Sequence, residues 1–357
     1  MSSQKLQALV DDLTTSRKLV GASAVVRIDG EVALTAASGL RKRSAGARVT
    51  VSDRWHIGSI TKAFTATMIA KLVGSGAIDF TAAPGDVLNE ADSTHPQWSE
   101  VTLAQLLTNS GGAPVRIPVR LMRWSKTIEE TLARRREAVR WFLSRPPESP
   151  PGFRYRYSNA GYLIAAHMAE VVTGLSWEQL ISEHIIGPLI LRTAGFGAPR
   201  GSEDLDEPWG HFSLFGWKRP IRPRVRGSDN PPLLGPAGTL HMTLDDLSLF
   251  GWEHIRGLQG QSELFPQRLF QLLHTPPELK EPAECRYAFG WIRQDKLDAV
   301  ENGMVSWHDG SNALWYSLLV LDVARNAVVA FGCNDGSLAK DSEFLKEFVE
   351  EAIEAAA

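Results

Sequence analysis

Strand-like segments lie near both ends of this 357-residue chain, and the middle contains few of them. Near the start, β-rich runs at 22–30 and 31–39 meet at Asp29-Gly30, a dipeptide typical of a two-residue hairpin turn. Four more strand-like runs follow between residues 286 and 333: RYAFGWIR, MVSWH, ALWYSLLVLD and AVVAFGC. Helical patterns precede the hairpin and follow the last run, which predicts one antiparallel sheet flanked by N- and C-terminal helices.

The middle of the chain has a different pattern. From about residue 77 to 234, helical stretches such as AGYLIAAHMAEVVTG alternate with Pro-rich connectors such as RPPESPPG. This change predicts an α/β (α+β) fold with two parts. A sheet domain would comprise residues 1–76 and 235–357, and a mainly helical inserted domain would comprise residues 77–234. We expect the active site between the two domains.

Composition restricts the possible functions. The chain is 43% hydrophobic and 22% charged with a net charge of −3, so no overall positive field indicates a nucleic-acid partner. The two cysteines and nine histidines show no metal-ligand spacing, so we expect neither a metal nor another cofactor. No apolar run is long enough to span a membrane, and no signal-peptide pattern opens the sequence. These features predict a cytoplasmic protein without a membrane partner, and they leave its oligomeric state open.

A Ser-x-x-Lys motif, Ser59 to Lys62, stands where a helix is predicted to begin, in the stretch HIGSITKAFTATMIAKLV. The first turn of a helix has unpaired N–H groups and favours negative charge. Lys62 would lie on the same helix face as Ser59, and burial of that face would lower the lysine pKa so that the amine can act as a base. The alternative is a helix cap followed by a solvated lysine. Two further copies, at 2–5 and 337–340, do not follow a strand and are attributed to chance.

A second motif, Tyr157-Ser158-Asn159, precedes a predicted helix. The tyrosine oxygen could relay a proton near Ser59 and Lys62, while Asn159 holds the lysine or a substrate carbonyl. The structural alternative is that Tyr157 packs its ring and Asn159 caps the helix.

A third motif, His308-Asp309-Gly310, ends one strand-like run and turns into the next. Gly310 would let a substrate approach the backbone closely, and the N–H of Ser311 could supply an oxyanion donor. A histidine at the end of a strand can equally have a structural role.

Arginine is concentrated at 134–136 and within KRPIRPRVRG, residues 218–227. A solvated helix face and a Pro-rich loop explain these clusters most simply. The alternative is a positively lined cleft, in which Arg116 or the arginines of 219–226 bind an acidic substrate group. Tryptophan is also frequent, and four of the eleven could line a cleft or pack in the core: Trp124, Trp209, Trp217 and Trp315.

The order and spacing of the three motifs resemble those of the serine β-lactamase-like family. That family includes class C β-lactamases, D-Ala-D-Ala carboxypeptidases, D-aminopeptidases and family VIII carboxylesterases. The resemblance extends beyond the motifs themselves. Five stretches, two of which contain the first and second motifs, look like family blocks in family order, and the resemblance covers roughly residues 20 to 335: IGSITKAFTATMIAKLV, VTLAQLLTNSGGAP, PGFRYRYSNAGYLIAAHMAEVVTG, EHIIGPLI and GPAGTLHMTLDDLSLF. The resemblance implies a β-lactamase/transpeptidase-like fold.

The resemblance also implies a mechanism. Ser59 would attack the acyl carbonyl of a small-molecule ester or amide to form an acyl-enzyme, with Lys62 and Tyr157 sharing the general-base role. Which of the two holds the proton at rest is left open, because such a close pair titrates together. The backbone N–H groups of Ser59 and Ser311 would form the oxyanion hole. The implied substrate-binding residues are Asn159, which also orients the lysine, His308 and Gly310.

The third motif departs from the family pattern. Penicillin-recognising members usually carry Lys-Thr-Gly or Lys-Ser-Gly there, and their lysine attracts a substrate carboxylate. In this chain His308 is at most partly charged near pH 7, and Asp309 repels a carboxylate if it faces the cleft. We therefore predict a carboxylesterase acting on short-chain esters, with a β-lactamase or a D-amino-acid amidase or peptidase as alternatives. A non-catalytic binding module on the same fold would require a broken site, and Ser59, Lys62, Tyr157 and Gly310 are all present.

Overall fold

A computed structural model of the chain describes residues 2–88, 94–203, 205–214, 216–223, 225–294, 304–340 and 342–356. The strands in these ranges are β1 (Gly21–Ile28), β2 (Glu31–Gly39), β3 (Arg54–His56), β4 (Gly195–Phe196), β5 (Gly210–Leu214), β6 (Trp217–Ile221), β7 (Leu240–Thr243), β8 (Ile292–Gln294), β9 (Val305–Ser311), β10 (Tyr316–Asp322) and β11 (Ala327–Cys333). The α-helices are α1 (Ser2–Ser16), α2 (Thr61–Gly74), α3 (Pro84–Leu88), α4 (Leu103–Leu107), α5 (Ile128–Leu143), α6 (Asn159–Thr173), α7 (Trp177–Ile181), α8 (Gly187–Leu189), α9 (Gly235–Gly238), α10 (Leu244–Leu258), α11 (Gln267–Leu273) and α12 (Ser342–Ala356).

The central sheet is built from both ends of the chain, as the sequence predicts. Its six antiparallel strands follow the order β2-β1-β11-β10-β9-β8, so the first and last long strands are neighbours. Ala24 of β1 lies opposite Phe331 of β11. Asp29 and Gly30 join β1 to β2 with positive φ angles of 49° and 89°, the backbone that this hairpin turn requires.

Alternate residues of the sheet face two separate layers of helices. Ala24 and Phe331 pack with α1 and α12, and the ring of Phe331 meets that of Phe348 edge to face with centres 5.1 Å apart. Val25 faces the other way, toward the core that contains α2 and α10. The helices at the two ends of the chain therefore cover one face of the sheet, and the helix that follows the Ser-x-x-Lys motif belongs to the other.

The middle of the chain carries α3 to α8 and then three strands. Strand β4 pairs with β7 in a small sheet of order β3-β7-β4, and β5 pairs with β6 in a hairpin. The β5–β6 hairpin was not predicted from the sequence, because strand β6 contains Pro220 and charged residues rather than an apolar run. The domain boundaries at residues 76 and 234 stay a prediction.

One strand prediction is wrong. The run 286–293 was expected to be a single strand, but only Ile292–Gln294 is a strand and the chain before it turns back on itself. Ala288 N–H donates to the carbonyl of Trp291, and Tyr287 lies opposite Ile292. Gly290 permits this turn with a φ of 77°, because a left-handed conformation is unfavourable for residues with a side chain.

Candidate active site

The Ser59 segment is positioned by a direct contact between two pieces of backbone. After β3, a short 3₁₀ turn over Gly58–Ile60 leads into α2. A Cβ on Gly310 of β9 would lie 2.5 Å from the backbone nitrogen of Ser59, and a Cβ on Gly58 would collide with the nitrogen of Ser311. Both positions therefore require glycine, and the backbone nitrogens of Ser59 and Ser311 both lie at this contact.

Ser59 and Lys62 form the predicted pair. Lys62 Nζ lies 3.1 Å from Ser59 Oγ and 2.7 Å from the carbonyl oxygen of Ala237, to which it donates a hydrogen bond. The Lys62 side chain is completely buried, whereas Ser59 is half-buried and borders a cavity. No side chain caps the turn that begins α2. The lysine is therefore not the solvated residue of the alternative interpretation.

The electrostatics of this pair differ from those of an exposed serine and lysine. Burial lowers the pKa of Lys62 well below its usual value of 10.5, and the nearby Asp309 opposes that shift only in part. Tyr157, whose hydroxyl is hydrogen-bonded to Ser59, has its pKa raised by burial. Its ring centre lies 4.7 Å from Lys62 Nζ. These directions favour a neutral amine beside a protonated phenol.

The cavity beside Ser59 has a volume of about 290 Å³. Five of the residues that line it come from the three predicted motifs: Ser59, Tyr157, His308, Asp309 and Gly310. Ser311, the predicted second oxyanion donor, also lines it, as do three residues that were not predicted from the sequence: Tyr155, Tyr287 and Ile292. Tyr155 could have been noticed two positions before Tyr157, but Tyr287 reaches the cavity through the unpredicted turn at Gly290.

His308 is held in one tautomer by its two hydrogen bonds. Its Nδ1 faces the carbonyl oxygen of Asp309, which can only accept, so the proton resides on Nδ1. Nε2, 3.2 Å from the hydroxyl of Tyr287, therefore accepts a hydrogen bond from that hydroxyl. Burial, with the nearby Lys62, lowers the pKa of His308 to about 3. His308 is thus neutral near pH 7, and it contributes no positive charge to the cavity.

Among the described residues, no hydrogen bond joins Asn159 to Lys62. Asn159 is the first residue of α6, and the N-cap of that helix is Ser158, whose hydroxyl accepts a hydrogen bond from the N–H of Gly161. The hydrogen bonds of Lys62 go to Ser59 and Ala237. A substrate contact of Asn159 stays a prediction.

Residues 6–354 of this sequence match the family model described as Beta-lactamase. The chain belongs to the beta-lactamase family.

Two curated relatives of this beta-lactamase family member have names that describe different functions. Penicillin-binding protein 4 from Amycolatopsis lactamdurans is 28% identical over 51% of this chain and 46% of its own length. Esterase EstB from Burkholderia gladioli is 28% identical over 54% of this chain and 51% of its own length. The chain therefore spans about half the length of these relatives.

A solved structure matches the family member over nearly its full length. The D-amino acid amidase from Ochrobactrum anthropi SV3, complexed with L-phenylalanine, superposes with a TM-score of 0.78 at 19% identity, and the match covers 99% of this chain and 98% of that chain. At this identity the likeness shows the fold. It confirms the β-lactamase/transpeptidase-like fold expected from the three motifs.

The four tryptophans considered for the cleft lie in different environments in the family member. Trp124 lines a second, larger cavity. Trp315 is fully buried and stacks on His56 with ring centres 5.7 Å apart, and Trp209 is buried beneath Lys42. Trp217 is 80% exposed. The interpretation that these residues pack in the core is therefore correct for Trp209 and Trp315.

Metal and membrane binding were not expected from the sequence. Across the described ranges, no three or more His, Cys, Asp or Glu side chains are grouped as a metal ion would require. No helix within them combines the length and the apolar character needed to cross a bilayer. The predictions of no cofactor and of a cytoplasmic location stay predictions.

Proposed function

We propose that this chain is a serine hydrolase that works through an acyl-enzyme, with Ser59 as the nucleophile. The observation that carries the proposal is the 3.1 Å approach of Ser59 Oγ to the amine of Lys62, a lysine with no exposed surface. A serine hydroxyl is a weak nucleophile until a base removes its proton. A buried lysine that is neutral near pH 7 is such a base.

A count of protons supports separate roles for Lys62 and Tyr157. A neutral amine has two N–H groups and one lone pair. One N–H of Lys62 goes to the carbonyl of Ala237, which leaves the lone pair free to accept the Ser59 proton. Tyr157, kept protonated by burial, is hydrogen-bonded to Ser59, and its phenol can donate to Ser59 Oγ once the serine proton has moved to Lys62. We infer that Lys62 takes the proton as Ser59 attacks, and that Tyr157 and Lys62 together return a proton to the leaving oxygen.

The backbone supports an oxyanion hole beside the nucleophile. The nitrogens of Ser59 and Ser311 lie at the contact between Gly58 and Gly310, and both serines line the cavity. Two N–H groups that converge where negative charge develops stabilise a tetrahedral intermediate. Such a pair accounts for the need for glycine at both Gly58 and Gly310.

A short-chain carboxylic ester is the substrate class that we propose. A β-lactam or a D-peptide substrate carries a carboxylate next to its reactive carbonyl, and a cation in the third motif would attract it. Here His308 is neutral and Asp309 lines the cavity, so that carboxylate is disfavoured. The volume of about 290 Å³ suits a small acyl or alkoxy group. The relative named an esterase supports this choice, and the penicillin-binding relative keeps β-lactamase or D-amino-acid amidase activity as the alternative.

The two substrate classes can be separated by one comparison. We would measure kcat/KM for p-nitrophenyl butyrate and for nitrocefin with the wild-type protein and with Ser59→Ala in parallel. We expect kcat/KM for the ester to be at least about 10²-fold higher than for nitrocefin, and we expect Ser59→Ala to lose both activities. Preferential hydrolysis of nitrocefin would show that the third motif does recognise carboxylates, and the alternative would replace the esterase.

A further inference from the structure

A second cavity, of about 660 Å³, shares no lining residue with the cavity at Ser59. Its walls come from the segment before α5, from α5 itself and from the loops that follow β4 and β6. These separate parts of the chain contribute five basic side chains to one cleft: Arg123, Lys126, Arg134, Arg200 and Arg226. We call this cavity the basic cleft.

The described lining of the basic cleft has only two acids, Glu178 and Asp229, against its five bases. Glu178 accepts a hydrogen bond from Arg135, 3.0 Å away, which lies outside the cleft. Asp229 is buried and contacts His56 Nε2 at 2.7 Å and Asn312 Nδ2 at 3.2 Å. Both carboxylates therefore have internal partners.

The five cations have no comparable partners. Within the part of the chain that the structure describes, no ion pair joins their side chains to a carboxylate. Arg134 Nε is buried without a hydrogen-bond partner. Like charges brought together in a concave surface focus the electrostatic potential and raise the local concentration of anions. The guanidinium group, with its planar fork of donors, also matches carboxylate and phosphate in geometry.

The floor of the basic cleft touches the segment that carries Ser59. Asp229 binds His56, three residues before Ser59. Asn230 donates through Nδ2 to the carbonyl of Gly238 at 2.9 Å, and Gly238 packs against Gly58. A ligand in the cleft would therefore lie next to the segment that carries Ser59, in a cavity that His308 and Asp309 do not line.

We infer that the basic cleft is a binding site for a carboxylate or phosphate group carried by a small organic molecule. This anion has two possible sources. It belongs either to the substrate itself, at a distance from the reactive carbonyl, or to a separate anionic ligand. The first source rests on the proposed esterase function, whereas the binding site does not depend on it. The site is compatible with a neutral His308, because the cavity at the third motif and the basic cleft have different linings.

Binding of adipate, a dicarboxylate, tests the site directly by isothermal titration calorimetry at low ionic strength. The double variant Arg134→Gln/Arg226→Gln removes two charges from the cleft. Arg136→Gln/Arg219→Gln is its matched control, because it removes two charges from exposed positions near the same segments that do not line the cleft. We expect the adipate Kd to rise about tenfold in the cleft variant and to change less than about twofold in the control. The neutral diamide adipamide should not bind.

The proposed binding site would be wrong if the two double variants changed the adipate Kd equally, or if adipate did not bind to the wild-type protein. A second experiment identifies the source of the anion. It compares kcat/KM for the p-nitrophenyl monoester of adipic acid, which is charged, with kcat/KM for p-nitrophenyl hexanoate, which is neutral. A preference for the charged ester that only the cleft variant loses assigns the anion to the substrate. Adipate binding without that preference assigns it to a separate ligand. If neither ester is hydrolysed, the proposed function fails while the calorimetry still decides the site.

Discussion

Gly310 and Ser59 meet backbone to backbone, so that a Cβ added at Gly310 would lie 2.5 Å from the Ser59 nitrogen. The atoms around that position belong to the main chain of Ile57, Gly58 and Ser59, which cannot rotate away as a side chain does. The glycine of the third motif thus holds the turn that carries Ser59, the proposed nucleophile.

Gly310→Ala should therefore damage both stability and catalysis. We expect a loss of about 2–3 kcal/mol in the free energy of unfolding, because an added methyl group in a closed contact forces the backbone to move. The same movement displaces Ser59 and should lower kcat/KM by about 10²-fold. Urea unfolding and ester hydrolysis measure the two effects. Gly46→Ala is the control, since a Cβ there meets nothing within 4 Å; equal behaviour of the two variants would contradict the steric role.

Ser59 and Lys62 should act as a unit. Ser59→Ala and Lys62→Ala should each lower kcat by about 10³-fold or more, and the double variant should lower it little further. Lys71→Ala, on the same helix and only half-buried, should retain activity. Circular dichroism checks that each variant is folded. A folded Lys62→Ala protein with near-normal turnover would remove Lys62 from the mechanism.

The pH profile reports the protonation of Lys62. The proposed base role requires a neutral amine at pH 7, and burial lowers the pKa of Lys62 in that direction, well below 10.5. On this proposal kcat/KM for p-nitrophenyl butyrate should be flat from about pH 7 to pH 9. Activity should fall only at acidic pH, as the amine gains a proton. A tenfold rise per pH unit between pH 7 and pH 9 would mean that Lys62 is an ordinary cationic lysine.

Acid should destabilise the fold through a buried histidine pair. His254 Nδ1 lies 2.9 Å from His274 Nε2, and both rings are fully buried. Burial lowers the pKa of His274 to about 3 and that of His254 well below 6.5. The unfolded chain binds protons at these two histidines below about pH 6.5, whereas the folded chain does not. The contribution of the neutral pair to the free energy of unfolding is therefore fully present above that pH, and it is lost as the pH falls.

Each of the two histidines should contribute a slope of about 1.4 kcal/mol per pH unit below pH 6.5. Urea unfolding between pH 7.5 and pH 5 measures the total slope, to which His308 also contributes because its pKa is lowered to about 3. An NMR titration of the imidazole resonances separates the individual histidines. In the folded protein the resonances of His254 and His274 should not shift over this range. A titration midpoint near 6.5 for either of them would contradict the account.

The sheet could be predicted because its information is local. Apolar runs at both chain ends and the turn at Asp29-Gly30 specify strands without reference to the rest of the chain. Ser59 and Lys62 were predictable for the same reason, since one turn of a helix brings them together.

The remaining features of the site depend on contacts between distant parts of the chain. The carbonyl of Ala237 accepts from Lys62, but every residue has a carbonyl and no side chain marks this one. Tyr287 reaches His308 only because the chain reverses at Gly290. Arg134 and Arg226 lie far apart in sequence, and their meeting in one cleft follows from the packing of α5 against the loop after β6.

Covalent labelling by a fluorophosphonate tests the central claim most directly, because this reagent reacts only with a serine that is activated as a nucleophile. The intact mass of the wild-type protein should increase by one adduct, and peptide mapping should place that adduct on Ser59. Ser59→Ala should remain unlabelled, and Lys62→Ala should react at least about 10²-fold more slowly. A folded wild-type protein that takes no label, or a label on another serine, would contradict the account and favour a binding module on this fold.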